Sequence, residues 1–161
     1  MRLRRDGGYD GAVRLLGIDF GARRIGLAIT DPSATLARPY RVLERGRSDQ
    51  VAIAQTLAVI DELVREEDGL ALVVVGLPTS LDGGAHEQTR RVQVFVGNLQ
   101  ARAPVPVVVQ DERLTSREAE SRLAVTERDW RRRKAQLDAA AAAVILQDYI
   151  DQHRSELEGG Q

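Results

Sequence analysis

The chain has 161 residues, 43% of them apolar, and a formal net charge of −1. That length fits one domain with an ordinary core, and that apolar content excludes a wholly disordered chain. The absence of cysteine excludes disulfides and thiolate metal sites and fits a reducing cytoplasm.

The start, MRLRRDGGYDGA, is basic but lacks the apolar core of a signal peptide, so residues 1–12 read as a flexible tail. No apolar run approaches the roughly 20 residues that span a bilayer. Residues 14–20 and 24–30 are short, apolar and β-branched enough to pair as strands. Gly21 in the short connection predicts an antiparallel hairpin. Residues 35–44 make a third strand, which Pro39 confines to an edge or a bulge. Between 48 and 68, Ile53, Leu57, Ile60 and Val64 recur at helical spacing, and Gly69 ends the helix. The run LALVVVGLP (70–78) is continuous and valine-rich after a helix, as in a buried parallel strand. A turn-rich loop, TSLDGG (79–84), leads into a helix over 86–102 with Val92, Phe95, Val96 and Leu99 on one face. VPVVVQ (105–110) is the next strand. Thr115 and Glu118 fit a capping box, so a helix starts at Thr115. Residues 125–134 read as a polar, basic connection, and the last helix spans 135–152 with alanines at 139–143. One domain over 13–152 results, with a second tail at 153–161.

This order, three strands and then strand–helix alternation, predicts an α/β fold with a mixed sheet and helices on its faces. Ligands of such open sheets gather beyond the carboxyl ends of the parallel strands. Three places there carry acids. Asp19 lies near the end of the first strand among Leu15, Leu16, Ile18 and Phe20, where charge is costly unless paired or metal-bound. Asp111 and Glu112 follow the strand at 105–110. Asp138 shares a helical face with Ala141, Ala142 and Ile145, so it faces the sheet, and the small alanines let that helix come close. Convergent acids raise one another's pKa unless a cation lies among them. Hard oxygen donors without cysteine suit Mg²⁺ or Mn²⁺. Each acid also has a plainer use: a turn residue after a strand, an Asx cap, or a carboxylate at a helix N-terminus.

The blocks GIDFGARRIGLAITD, VVVGLPTSLDGG, DERLTSREAE and LDAAAAAVILQDYI occur in an order that resembles the YqgF/RuvX family. Those are bacterial RuvC-like nucleases of the ribonuclease H-like fold, described both as pre-16S rRNA nucleases and as Holliday junction resolvases. The resemblance implies a mixed five-stranded sheet in the order 3-2-1-4-5. It implies Asp19, Glu112 and Asp138 as the catalytic, metal-holding acids; Asp111 also matches a family position but is not taken as a principal ligand. It further implies phosphodiester hydrolysis with two Mg²⁺ or Mn²⁺ ions, Asp19 bridging them and Glu112 and Asp138 each completing a shell.

Nucleic acid is the expected partner: the 5′ end of an rRNA precursor, or branched DNA as the alternative. A junction resolvase needs two sites and hence a homodimer. Arg113 can fork onto a phosphate beside the metals or form an ordinary salt bridge. The segment RDWRRRK (128–134) has five bases and one acid. Its Arg131, Arg132, Arg133 and Lys134 either neutralise a nucleic-acid backbone or make a solvated face. Arg23 and Arg24 in the first turn carry a similar reading, and Trp130 could stack on a base or pack. His86 and His153 receive no role. Two rivals stand beside the nuclease. One is a nucleotide-phosphate binder using the D-x-G turn, which 161 residues leave without a second lobe. The other is a non-catalytic module that binds RNA or a polymerase, against which the three intact acids count.

Overall fold

The computed structural model of the chain describes residues 13–46, 48–77, 86–111 and 130–154. Its strands are β1 (Leu15–Phe20), β2 (Arg24–Thr30), β3 (Ala37–Glu44), β4 (Leu72–Leu77) and β5 (Val107–Asp111). Its helices are α1 (Asp49–Arg65), α2 (His86–Arg102) and α3 (Trp130–Gln152). The five strands form one mixed sheet in the order β3-β2-β1-β4-β5, the ribonuclease H-like order. β2 runs antiparallel to β1 and β3, while β4 is parallel to β1 and β5 parallel to β4. The carboxyl ends of β1, β4 and β5 therefore share one edge.

The hairpin forms as its Gly21 predicts, with the Gly21 N–H donating to Arg24 O at 2.9 Å. β3 is an edge strand, and its register with β2 shifts between Leu27 and Ala28, the latter pairing with Pro39. A proline that cannot donate to a ladder is tolerated at such a place.

Two apolar layers flank the sheet. On one face Leu16, Ile18 and Phe20 of β1 pack with Ile53, Ile60 and Leu63 of α1 and with Val92, Phe95 and Leu99 of α2. On the other, Leu15, Ala28, Leu72 and Val74 pack with Ala142, Ile145, Leu146 and Ile150 of α3. Strand alternation thus assigns every second residue of β1 to α3. Ser48 caps α1, its Oγ accepting from Val51 N–H at 3.1 Å, and Gly69 follows the helix at φ +61°.

The last helix starts earlier than its apolar period suggests. It begins at Trp130, so Arg131–Lys134 lie on helix and not on a connection, and Asp138 lies two turns in and not at the helix start. The reason is propensity: arginine, lysine, alanine and glutamine are strong helix formers, and nothing in WRRRKAQ breaks a helix. The loop at 79–84 and the helix expected from Thr115 lie outside the described residues. Among the described residues no helix is long and apolar enough to cross a membrane.

Candidate metal and nucleic-acid site

The site begins with the register of β1 on β2. Asp19 pairs across the hairpin with Gly26. Leu16, Ile18 and Phe20 point to the α1–α2 layer. By alternation Asp19 points the other way, as Gly17 does, toward α3.

Gly17 and Gly26 are bare because α3 lies directly on them. A Cβ at Gly17 would stand 2.7 Å from Leu146 Cβ and 2.9 Å from Ala142 O. One at Gly26 would collide with the carbonyl of Asp138 and stand 3.0 Å from Ala139 N. Contacts that short do not occur between real side chains, so any larger residue must push the helix away. Gln147 ties the same helix to the start of β3: its Oε1 accepts from Ala37 N–H at 2.9 Å and its Nε2 donates to Thr35 O at 3.2 Å. The Asp138 backbone therefore sits over the residue that pairs with Asp19.

The Asp138 side chain faces the hairpin turn. Its Oδ2 lies 3.4 Å from Arg24 Nε, with 27% and 18% of the two side chains exposed. Asp138, Arg24, Arg23, Ala22 and Gly21 line a cavity of about 200 Å³. One end of the sheet thus presents two carboxylates on one face, a guanidinium paired to Asp138, and a recess lined by that pair. Asp19 is half-buried. The donor set, carboxylate oxygens without sulfur, fits a hard divalent cation. Among the described residues no group of three His, Asp or Glu side chains converges on one point; Glu112 and Arg113 lie outside the described residues.

Asp111 is placed elsewhere. It ends β5 opposite Leu77 and, with Val109, Gln110, Asp148 and Gln152, lines a different cavity of about 580 Å³. Gln110 Nε2 donates to Gln152 Oε1 at 3.1 Å there. Arg131, Arg132, Arg133 and Lys134 occupy the opening turns of α3, on the N-terminal side of Asp138.

A family model described as RuvX, Holliday junction resolvase, matches residues 13–152. The chain belongs to the RuvX family. Its relatives include a protein of Maridesulfovibrio salexigens named "Putative pre-16S rRNA nuclease", 39% identical over 138 residues, which cover 86% of this chain and 98% of that one. A protein of the same name from Nocardioides sp. is 43% identical over 143 residues, covering 87% of this chain and 88% of the other. Among solved structures, Thermus thermophilus RuvC in complex with a Holliday junction substrate superposes with a TM-score of 0.50 at 18% identity, covering 87% of this chain and 95% of that chain. At that identity the likeness is one of fold.

Sequence reasoning passed over one residue of this RuvX-family site. Arg45 follows β3, belongs to no motif, and is only 7% exposed beneath the hairpin turn. A buried arginine is uncommon unless paired, and the polar stretch that holds Arg45 gives no sign of burial.

Proposed function

We propose that the chain is a divalent-metal-dependent nuclease that hydrolyses phosphodiester bonds, with the 5′ end of precursor 16S rRNA as its substrate. The observation that carries the reading is the stacking of Asp138 over Gly26, the register partner of Asp19. It brings two acids of the family motifs to one face of the carboxyl edge. The names of the relatives support the choice of RNA substrate.

In this reading Asp19, Glu112 and Asp138 would hold the Mg²⁺ or Mn²⁺ ions, two of them in the expected arrangement. The bound ions supply a water of lowered pKa and stabilise charge on the leaving oxygen. The protein's share is placement. Asp19 is held by a strand paired on both sides, and Asp138 by a helix pressed onto glycine. No side-chain nucleophile is needed. Arg23 and Arg24 wall the recess and can pair with phosphate oxygens, with Arg113 in the same role. Arg131, Arg132, Arg133 and Lys134 belong to the opening turns of α3, and four positive charges there favour a polyanion.

The family's description favours a second reading, cleavage of a four-way DNA junction, which calls for a homodimer so that two strands are nicked symmetrically. One assay separates the two. Wild type and Asp19→Asn are incubated with an RNA carrying the precursor 5′ end, a four-way DNA junction and single strands, with Mg²⁺, Mn²⁺ or chelator. Cleavage of the RNA that requires metal and disappears in Asp19→Asn is the expected result. Junction cleavage alone moves the substrate to DNA, and activity in chelator refutes the metal mechanism.

A further inference from the structure

Arg45 grips every residue between the two site side chains Asp19 and Arg24. Its Nη1 donates to Gly21 O and to Ala22 O, both at 2.9 Å. Its backbone N–H donates to Arg23 O at 3.1 Å. Its guanidinium carbon lies 4.2 Å from the centre of the Phe20 ring, and Phe20 in turn stacks on Phe95 of α2 with centroids 4.3 Å apart. Its Nη2 pairs with Asp49 in the first turn of α1. One guanidinium thus ties the hairpin turn to both helices behind the sheet.

We propose that Arg45 is a positioning residue for the site. Among the described residues it does not line the recess itself. It fixes the turn whose far side, Gly21 to Arg24, lines the recess with Asp138. The physical reason is the pairing rule for buried groups. The guanidinium of Arg45 is only 7% exposed and needs acceptors: Nη1 reaches the Gly21 and Ala22 carbonyls together, and Nη2 reaches the Asp49 carboxylate, which balances its charge. A turn released from this fork lets Arg23 and Arg24 wander relative to Asp19 and Asp138. Displacements of about 1 Å in such a constellation cost up to roughly a hundredfold in rate. The inference rests on the nuclease reading for its functional consequence and on the contacts above for its structural one.

Arg14 supplies a matched control at the opposite end of β1. It makes the same kinds of contact, donating to Gly69 O at 3.1 Å and Leu63 O at 3.4 Å and pairing with Glu66 at 2.8 Å, but far from the recess. The experiment compares full-length Arg45→Met, Arg45→Lys and Arg14→Met with wild type and Asp19→Asn. It reads thermal unfolding, amide hydrogen exchange at Gly21, and cleavage kinetics on RNA carrying the 16S precursor 5′ end. Arg45→Met and Arg14→Met are expected to lose similar stability. Only Arg45→Met should lower kcat, by about tenfold or more, with KM within about threefold, and speed exchange of the Gly21 amide. Arg45→Lys, a point charge without the fork, should recover stability through Asp49 and recover kcat only in part. A wild-type kcat in Arg45→Met, or an equal loss in Arg14→Met, overturns the proposal. If Asp19→Asn matches wild type on the RNA, the nuclease reading fails instead. The grip of Arg45 on the turn is then judged by Gly21 exchange: unchanged protection in Arg45→Met overturns it, and lost protection upholds it.

Discussion

Gly26 has no side chain because the carbonyl of Asp138 occupies the space where its Cβ would stand. Gly26 is also the residue paired with Asp19, so one close approach of helix to sheet sets the spacing of the two acids. Gly26→Ala should therefore lower both stability and catalysis. An added methyl in a packed interface costs about 1–3 kcal/mol, and the backbone of α3, not a flexible side-chain end, has to move. Chemical denaturation gives the first effect. Cleavage rates at a temperature where the variant is fully folded give the second. A stability loss with wild-type rates would mean that the spacing of Asp19 and Asp138 is not what the glycine protects.

Metal should stabilise the fold through the same two acids. A ligand that binds only the native state adds RT ln(1 + [L]/Kd), about 2.7 kcal/mol at a hundredfold excess over Kd. Mn²⁺ is expected to raise the melting temperature of the wild type by several degrees. Asp19→Asn and Asp138→Asn should remove that shift while unfolding near the wild-type temperature in chelator. Differential scanning fluorimetry with and without Mn²⁺ reads both. An intact shift in either variant would place the ion elsewhere.

The basic opening of α3 should act on affinity and not on chemistry. Replacing Arg131, Arg132 and Arg133 with glutamine should weaken RNA binding. It should also flatten the slope of log K against log salt by about 0.7 for each phosphate of a single strand that is no longer neutralised. Mn²⁺ binding should be unchanged. A titration series across salt concentrations tests this, and an unaltered slope would make the run a solvated face.

Asp31 should contribute to the acid sensitivity of the fold. Its partial burial pushes the carboxyl pKa up, but hydrogen bonds from Ser33 Oγ, from Leu36 and Thr35 N–H and from Thr35 Oγ1 outweigh this and hold it well below the ordinary carboxylate range. A group whose folded pKa is depressed stabilises the fold above its unfolded pKa of about 4 and loses that contribution as pH falls below it. Asp31→Asn should cost about 1 kcal/mol at neutral pH. It should also unfold with a shallower pH dependence than wild type below pH 4. Parallel curves for the two proteins would show that the carboxylate contributes nothing in that window.

Local chemistry determined much of this protein. The alternation and β-branching of 14–20 and 24–30, the helical spacing of Ile53, Leu57, Ile60 and Val64, and the valine run at 70–78 each name an element from its own residues, and the structure forms those elements. Asp19 was conspicuous because a charge among Ile18, Phe20 and Leu16 demands a partner. The start of α3 was not visible, because a polar helical turn has no apolar period to reveal it. Only the tertiary structure decided that Gly17 and Gly26 form the floor under α3, that Arg24 meets Asp138, and that Arg45 lies beneath the hairpin turn. Periodicity reports which side chains leave water. It does not report what covers them, because that depends on strands and helices far apart in the chain meeting across the sheet.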